Sequence, residues 1–172
     1  RLDVVDTGPG IALDDIVHAV KAGYTSNSPL DHLGLFGMGF NIATARLGEV
    51  TRFLSTTAGA SEWVGVRIDF AEMTREGTFS VPVEREPKPD PGIHGTRVVV
   101  SQLKPGIYEE LARAESQIRQ VLGDVYAPIL REYDVEITVQ GKVVTPHRHC
   151  TWARSRQVPV DRGRESVEAI LD

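Results

Sequence analysis

The fold is decided by residues 49–70, EVTRFLSTTAGASEWVGVRIDF, which predict two consecutive strands at 49–56 and 62–70 joined by a short turn. Strand patterns recur at 78–84 and 96–101 with no predicted helix between them. A doubly wound parallel sheet needs strands that alternate regularly with helices, so this order disfavours it. We predict an α+β fold, a two-layer sandwich with one mixed, mostly antiparallel sheet and helices on one face.

Helical patterns lie on both sides of this strand cluster. Residues 24–36 and 86–95 are rich in polar residues, Pro and Gly, and predict loops. Gly48 is predicted to end the second helix. The remaining predicted elements are a strand at 2–6, helices at 13–22, 37–47, 105–122 and 124–132, and a hairpin of strands 134–139 and 142–145 across Gln140-Gly141.

The composition is that of a globular protein: of 172 residues, 41% are hydrophobic and 25% are charged, with a net charge of −5. A negative chain argues against a general nucleic-acid or membrane binder, although residues 147–156, HRHCTWARSR, form a local basic stretch. No apolar run approaches the roughly 20 residues that span a bilayer. Cys150 is the only cysteine, which excludes an internal disulfide and favours a reduced, cytoplasmic protein.

The segment DTGPG at residues 6–10 closes the first predicted strand. An Asp at the end of a buried strand presents its carboxylate at the rim of the sheet, where it can accept a hydrogen bond from an exocyclic amine such as that of adenine. Gly8 and Gly10 let the backbone approach a flat ring closely. The segment alone is equally compatible with a plain strand–turn–helix junction in which Asp6 caps the helix.

The segment GLFGMGF at residues 34–40 places three glycines directly before a predicted helix. Backbone N–H groups at a helix start are unpaired and the helix dipole favours an anion there, so the segment predicts a phosphate-binding turn. No Gly-Lys-Ser/Thr follows, which excludes a P-loop, and the spacing excludes a dinucleotide fingerprint. A flexible loop that ends in a helix is the alternative for this segment alone.

A third element, His94-Gly95-Thr96, lies at the start of the strand predicted at 96–101. A Thr hydroxyl that follows a glycine turn at a strand start can close a base pocket. Considered alone, the tripeptide is an ordinary turn.

In this order and spacing, the three segments resemble the GHKL ATPase superfamily, whose members include gyrase B, the ninety-kilodalton heat-shock chaperone, histidine kinases and MutL. The resemblance covers about residues 1–104 and, through LGLFGMGF, is nearest the MORC- and chaperone-like branches. It implies a Bergerat-type ATP-binding fold in which Asp6 reads adenine, residues 24–36 are a mobile ATP lid and Thr96 helps to seat the base. The implied ATP-binding residues are Asp6, Gly8, Gly10, Ile11, Gly34, Leu35, Phe36, Gly37, Met38, Gly39, Phe40 and Thr96.

The resemblance also predicts the domain organisation. Residues 1–104 form the ATP-binding core, residues 105–146 are helices and a hairpin that pack on or extend it, and residues 147–172 are a tail or the start of a following domain. The helix near 107–131 followed by YDVEITVQGK resembles the prokaryotic MORC- or chaperone-like ATP-binding proteins, in which a strand pair with a similar turn follows the pocket.

Two functional residues of the family have no counterpart in this sequence. In the family, a helix upstream of D-x-G-x-G supplies the glutamate that activates water and the asparagine that holds Mg²⁺, and only five residues precede Asp6 here. No catalytic residue is therefore assigned, and Asn41, which follows the glycine box, is interpreted as a helix-surface residue. We expect the sequence to begin inside a domain, and we expect a core without that helix to expose an apolar face.

The implied function is ATP binding by a GHKL-type ATPase. ATP and ADP bind, ATP acts as a conformational ligand that drives homodimerisation, and the full-length protein hydrolyses it slowly with Mg²⁺. The alternatives are a phosphotransfer domain of the histidine-kinase kind and a non-catalytic nucleotide-sensing interaction module. The sequence has no upstream phospho-accepting His domain, and its intact glycines argue against a decayed pocket.

Several side chains outside these segments are candidates for ligand contacts. The basic residues that could reach a γ-phosphate are Arg97, Lys142 and Arg148, with solvated surface as the alternative. His147, His149 and Cys150 cluster, but their spacing and the lack of a fourth ligand favour tail residues over a metal site. Trp63 and Trp152 are interpreted as packing residues.

Overall fold

The computed structural model describes residues 1–21, 39–78 and 80–147. The chain forms two compact units, Arg1–Tyr108 and Glu109–Asp172. The predicted lid at 24–36, the glycine-box residues 34–38 and the tail from residue 148 onwards lie outside the described residues.

A five-stranded antiparallel sheet forms the first unit, in the order β1-β5-β2-β3-β4. In the centre of the sheet, Phe53 pairs with Val66 on one side and with Val98 on the other. Every pairing among the described strands is antiparallel. The strands are β1 (Leu2–Val5), β2 (Gly48–Thr56), β3 (Glu62–Asp69), β4 (Val83–Pro87) and β5 (Gly95–Leu103).

Three helices of the first unit cover one face of this sheet. They are α1 (Leu13–Val20), α2 (Gly39–Leu47) and α3 (Phe70–Glu76). Side chains alternate between the two faces of a strand, so every second residue of β2 and β3 meets the helices. The resulting core contains Ile16 of α1 with Phe53, Val66 and Ile68 of the sheet. The predicted α+β sandwich, with helices on one face of a mostly antiparallel sheet, is therefore confirmed.

The other face of the sheet carries paired charges. Arg52 on β2 donates to Glu84 at 2.7 Å and to Glu86, both on the edge strand β4. Charged side chains on an edge strand discourage pairing with a further strand. These ion pairs therefore protect the open edge of β4 as well as joining it to the centre of the sheet.

The region between β3 and β4 differs from the sequence prediction. The strand predicted at 62–70 ends at Asp69, and the strand predicted at 78–84 begins only at Val83 and runs to Pro87. Helix α3 occupies the interval because the Asp69 carboxylate accepts the backbone N–H of Glu72 at 3.0 Å and caps its first turn. Gly77, with a φ of 62°, ends this helix.

Gly48 ends α2 as predicted, and it is also the first residue of β2, one residue before the predicted strand start at 49. Helix α2 ends at Leu47 and β2 begins at Gly48, with no residue between them. A side chain at Gly48 would place its Cβ 2.6 Å from the carbonyl oxygen of Ser101 on β5. The carbonyl of Leu47 accepts the backbone N–H of Lys104 at 3.0 Å, so the junction is bonded to the end of β5.

The second unit contains short helices and a hairpin. The single helix predicted at 105–122 is divided at Ala114, whose backbone dihedrals are −86° and 3°. The hairpin forms across Gln140-Gly141 as predicted, although its strands are shorter. The elements are α4 (Ile107–Arg113), which crosses the boundary between the units, α5 (Glu115–Val125), α6 (Ala127–Glu132), β6 (Thr138–Val139) and β7 (Lys142–Val143).

Candidate functional site

The carboxylate of Asp6 is fixed where β1 ends. Its Oδ1 accepts the backbone N–H of Gly8 at 2.8 Å and that of Thr96 at 3.2 Å. The backbone N–H of Asp6 in turn donates to the carbonyl of Thr96 at 2.9 Å. Asp6 is exposed, and its Oδ2 accepts no hydrogen bond from any residue that the structure describes. One oxygen therefore orients the carboxylate, and the other is available to a ligand that donates a hydrogen bond.

Two glycines near this carboxylate allow one backbone segment to lie directly against another. Gly10 has a φ of 76°, and a Cβ there would lie 2.0 Å from the carbonyl oxygen of Thr56. Gly95 has a φ of 129°, and a Cβ there would lie 2.1 Å from the carbonyl oxygen of Asp6. No side chain fits at such distances. The DTGPG turn consequently lies directly against the end of β2 and the start of β5.

Ser55 joins the predicted segments, although the sequence analysis did not identify it. Its side chain is buried, and its Oγ accepts the backbone N–H of Ile11 at 2.9 Å and donates to the carbonyl of Gly95 at 3.0 Å. The Thr96 hydroxyl lies 3.1 Å from the same oxygen. Because the only Ser55 hydroxyl proton goes to Gly95, Thr96 must donate its own proton to Ser55. The Thr96 oxygen is then left as an acceptor.

The strand pattern alone does not single out Ser55. Thr51, Phe53 and Ser55 alternate along β2 on the side that faces the helices. Thr51 is also polar and buried, yet its hydroxyl has no hydrogen-bond partner among the described residues. Only the long-range contacts of Ser55 therefore distinguish it from Thr51.

His94 fixes the turn from the other side. Its Nδ1 lies 2.7 Å from the carbonyl oxygen of Gly8. A carbonyl oxygen only accepts, so Nδ1 carries the proton in this contact. The tripeptide His94-Gly95-Thr96 thereby contacts the DTGPG turn through the His94 ring, the Gly95 backbone and the Thr96 backbone.

Of the predicted phosphate segment, Gly39 and Phe40 are described. Gly39 opens α2, and a Cβ there would meet no atom of the described residues within 4 Å. The first turn of α2 contains no acidic residue, so the helix itself sets no negative charge against an anion at its start. The Phe40 ring packs edge-on against Phe53, with ring centroids 5.6 Å apart, and is therefore a core contact of the helix.

The other ligand candidates have partners of their own. The Arg97 guanidinium lies over the Trp63 ring, 5.1 Å from its centroid, and strand alternation directs it away from the face that Thr96 occupies. Lys142 lies 3.1 Å from Glu115 in the second unit, and this contact lowers the pKa of Glu115. Arg148 is not among the described residues.

Asn41 and His147 also have contacts within the fold. Asn41 donates its side-chain amide to the carbonyl of Val20 at 3.2 Å and so connects α2 to the end of α1. His147 bonds to Asp124 at 2.7 Å through Nδ1 and donates its backbone N–H to Gly123 at 3.1 Å. His149, Cys150 and Trp152 lie outside the described residues.

A cleft of about 140 Å³ beside α3 does not share residues with the Asp6 site. Its charged side chains have ion-pair partners: Arg67 lies 2.8 Å from Asp69 and 3.5 Å from Glu72, and Glu76 lies 3.4 Å from Arg75. The N–H of Glu72 and the Arg67 guanidinium both lower the pKa of Asp69. The charges of this cleft are thus used within the fold.

Within the described part of the chain, every helix is too short or too polar to cross a bilayer. No protein-family model and no curated protein matches this chain.

Proposed function

We propose that this chain is the ATP-binding domain of a GHKL-type ATPase with a Bergerat-type fold. ATP acts as a conformational switch that controls contact with a second copy of the chain, and the full-length protein hydrolyses ATP slowly. The observation that carries the proposal is the arrangement around Asp6: one carboxylate oxygen is fixed by two backbone N–H groups, and the other is open.

The donor and acceptor pattern of the site suits adenine. Asp6 Oδ2 and Thr96 Oγ1 are both left as acceptors by the network of hydrogen bonds around them. An exocyclic amine supplies the donor that such a pair requires. The absence of a side chain at Gly8, where a Cβ would lie 3.0 Å from Asp6 Oδ1, leaves room for a planar ring beside the carboxylate.

The start of α2 suits the phosphates. Among the described residues no atom lies within 4 Å of a Cβ built at Gly39, and the first turn of the helix carries no negative charge. Unpaired N–H groups at a helix start and the positive end of the helix dipole both favour a phosphate. The resemblance places Mg²⁺ and the water-activating carboxylate on an upstream helix, so the residues of this chain contribute binding and orientation of the nucleotide. Mg²⁺ would spread the negative charge of the phosphates.

The test is isothermal titration calorimetry with ATP and ADP on the wild-type chain and on Asp6→Asn. The substitution keeps an oxygen that can accept the N–H groups of Gly8 and Thr96, but replaces the open acceptor with an NH₂ donor. We expect the affinity for ATP to fall at least about tenfold, because a hydrogen bond to a charged group contributes about 1.5–3 kcal/mol. Asp3→Asn is the matched control, since Asp3 lies on β1 three residues before Asp6 and its carboxylate is bonded to Arg1.

A second titration tests the assignment of the base. Inosine triphosphate carries a carbonyl oxygen where ATP carries the exocyclic amine, so it presents an acceptor to the acceptors of the site. The wild-type chain should bind it more weakly than ATP, and Asp6→Asn should reduce that preference. Equal affinity of Asp6→Asn and wild type for ATP, with both folded by circular dichroism, would contradict the proposal.

A further inference from the structure

Lys88 is a buried lysine that bonds to backbone carbonyls. Its residue is only 9% exposed. The Nζ donates to the carbonyl oxygens of Thr57 at 3.0 Å, Pro91 at 3.1 Å and Ile93 at 2.7 Å, and lies 3.4 Å from the hydroxyl of Thr56. An ammonium group has three protons, so the three carbonyls satisfy it fully. Among the described residues no carboxylate forms an ion pair with it, so the carbonyls alone offset the cost of burying the charge.

The loop that Lys88 holds is poor in its own donors. Pro89 and Pro91 lie in it and Pro87 directly precedes it, and none of the three has a backbone N–H. The Lys88 ammonium group supplies three N–H donors in place of the backbone N–H groups that the prolines lack. Two backbone bonds complete the attachment: Lys88 donates to Ser61 at 2.9 Å, and Gly59 donates to Pro91 at 2.9 Å.

The loop that Lys88 holds leads directly to residues of the candidate site. Ile93, which accepts the shortest of the Lys88 bonds, precedes His94 in the chain. His94 bonds to the carbonyl of Gly8, and Thr96 donates to the carboxylate of Asp6. The same Nζ holds Thr57 beside the end of β2, against which the DTGPG turn lies.

We propose that Lys88 is a positioning residue for the Asp6 carboxylate. Its ammonium group fixes the loop at residues 88–93 against the end of β2, so that His94 and Thr96 hold the DTGPG turn and orient Asp6. An effect of Lys88 on nucleotide affinity rests on the proposed function. The effect of Lys88 on the position of the DTGPG turn does not, because it is present in the chain without a ligand.

The experiment compares wild type with Lys88→Met, which keeps the length of the side chain and removes its donors. Amide hydrogen exchange of the nucleotide-free chain is measured by NMR at Gly8 and Thr96, with the amides in the middle of β2 as the reference for global stability. We expect exchange at Gly8 and Thr96 to accelerate at least about tenfold beyond any change in β2. The preference for ATP over inosine triphosphate should fall in the same variant.

Lys88→Arg is the conservative variant and Lys88→Gln a milder one should Lys88→Met fail to fold. Arginine keeps the charge and the donors, so it should restore most of the protection at Gly8 and Thr96. If exchange at these amides changes no more than in β2, Lys88 has only a general structural role and the proposal is overturned. If wild type does not distinguish ATP from inosine triphosphate, the proposed function fails, while the exchange data still decide whether Lys88 controls the turn.

Discussion

Gly95 lies where the start of β5 meets the backbone of Asp6, and its substitution by alanine gives a sharp test of the site geometry. The Cβ of an alanine would begin 2.1 Å from the carbonyl oxygen of Asp6, and the φ of 129° is one that side chains rarely adopt. The backbone of the DTGPG turn and that of β5 must therefore move apart.

The magnitude follows from the local bonds. Relief of the clash needs a displacement of about 1 Å, which takes the 2.9 Å bond between Asp6 N and Thr96 O beyond hydrogen-bonding range. The 3.2 Å bond from Thr96 N to Asp6 Oδ1 is lost with it. Two hydrogen bonds at about 1 kcal/mol each, with about 1–2 kcal/mol of backbone strain, give a loss of about 3–4 kcal/mol in the free energy of unfolding.

The matched control is Gly59→Ala. Gly59 also has a positive φ, 83°, but a Cβ there meets no atom of the described part of the chain within 4 Å. Only backbone strain applies, so we expect a loss of about 1–2 kcal/mol. Urea denaturation followed by far-ultraviolet circular dichroism measures both variants. A loss for Gly95→Ala no larger than that for Gly59→Ala would refute the close contact between β5 and the Asp6 turn.

Two further predictions concern the helix-facing side of the sheet and the cap of α3. Thr51 is fully buried and its hydroxyl has no hydrogen-bond partner among the described residues, so Thr51→Val should stabilise the chain by about 1 kcal/mol in urea denaturation. Ser55→Ala, which removes a bonded hydroxyl, should destabilise it, and a loss for Thr51→Val comparable to that of Ser55→Ala would contradict this reasoning. The pKa of Asp69 is lower in the folded state than the ordinary Asp pKa of about 3.9, so the ionised carboxylate stabilises the fold at pH values above about 3.9. This contribution is lost as the pH falls through the pKa of Asp69 in the folded state. Asp69→Asn should therefore be less stable than wild type at neutral pH and approach it in acid, and a constant difference in thermal midpoint across that range would exclude a role for the charge.

The strands at the centre of the sheet were predictable from sequence because their patterns are long and their environment is simple. Residues 49–56 and 62–70 are rich in β-branched and aromatic side chains, and β2 and β3 match them closely. Helix α3 was missed because it is a single short segment whose cap, Asp69, also fits the end of a strand. Its stability depends on Phe70 and Met73 packing against the core, which is a tertiary contact.

The glycines and the Asp6 carboxylate of the candidate site could be predicted from the sequence. The residues that hold them in place, Ser55 and Lys88, could not. Asp6 and Thr96 are far apart in sequence, and the pairing of β1 with β5 brings them into hydrogen-bonding contact. Ser55 and Lys88 belong to no motif, because a hydroxyl in a strand and a lysine in a loop are ordinary residues until the fold surrounds them. The partners of such residues depend on long-range pairing and cannot be derived from local pattern.

The direct junction of α2 with β2 has a mechanical consequence. Since Gly48 follows Leu47 without a spacer and Lys104 holds that point to β5, the helix cannot slide along its axis unless the central strand slides with it. The Phe40 ring packs against Phe53 with centroids 5.6 Å apart, so the chain folds back at Gly48 and the start of α2 lies near the end of β2 that carries Ser55. A displacement of the helix start is therefore passed to the end of β2 through a direct side-chain contact as well as through the backbone.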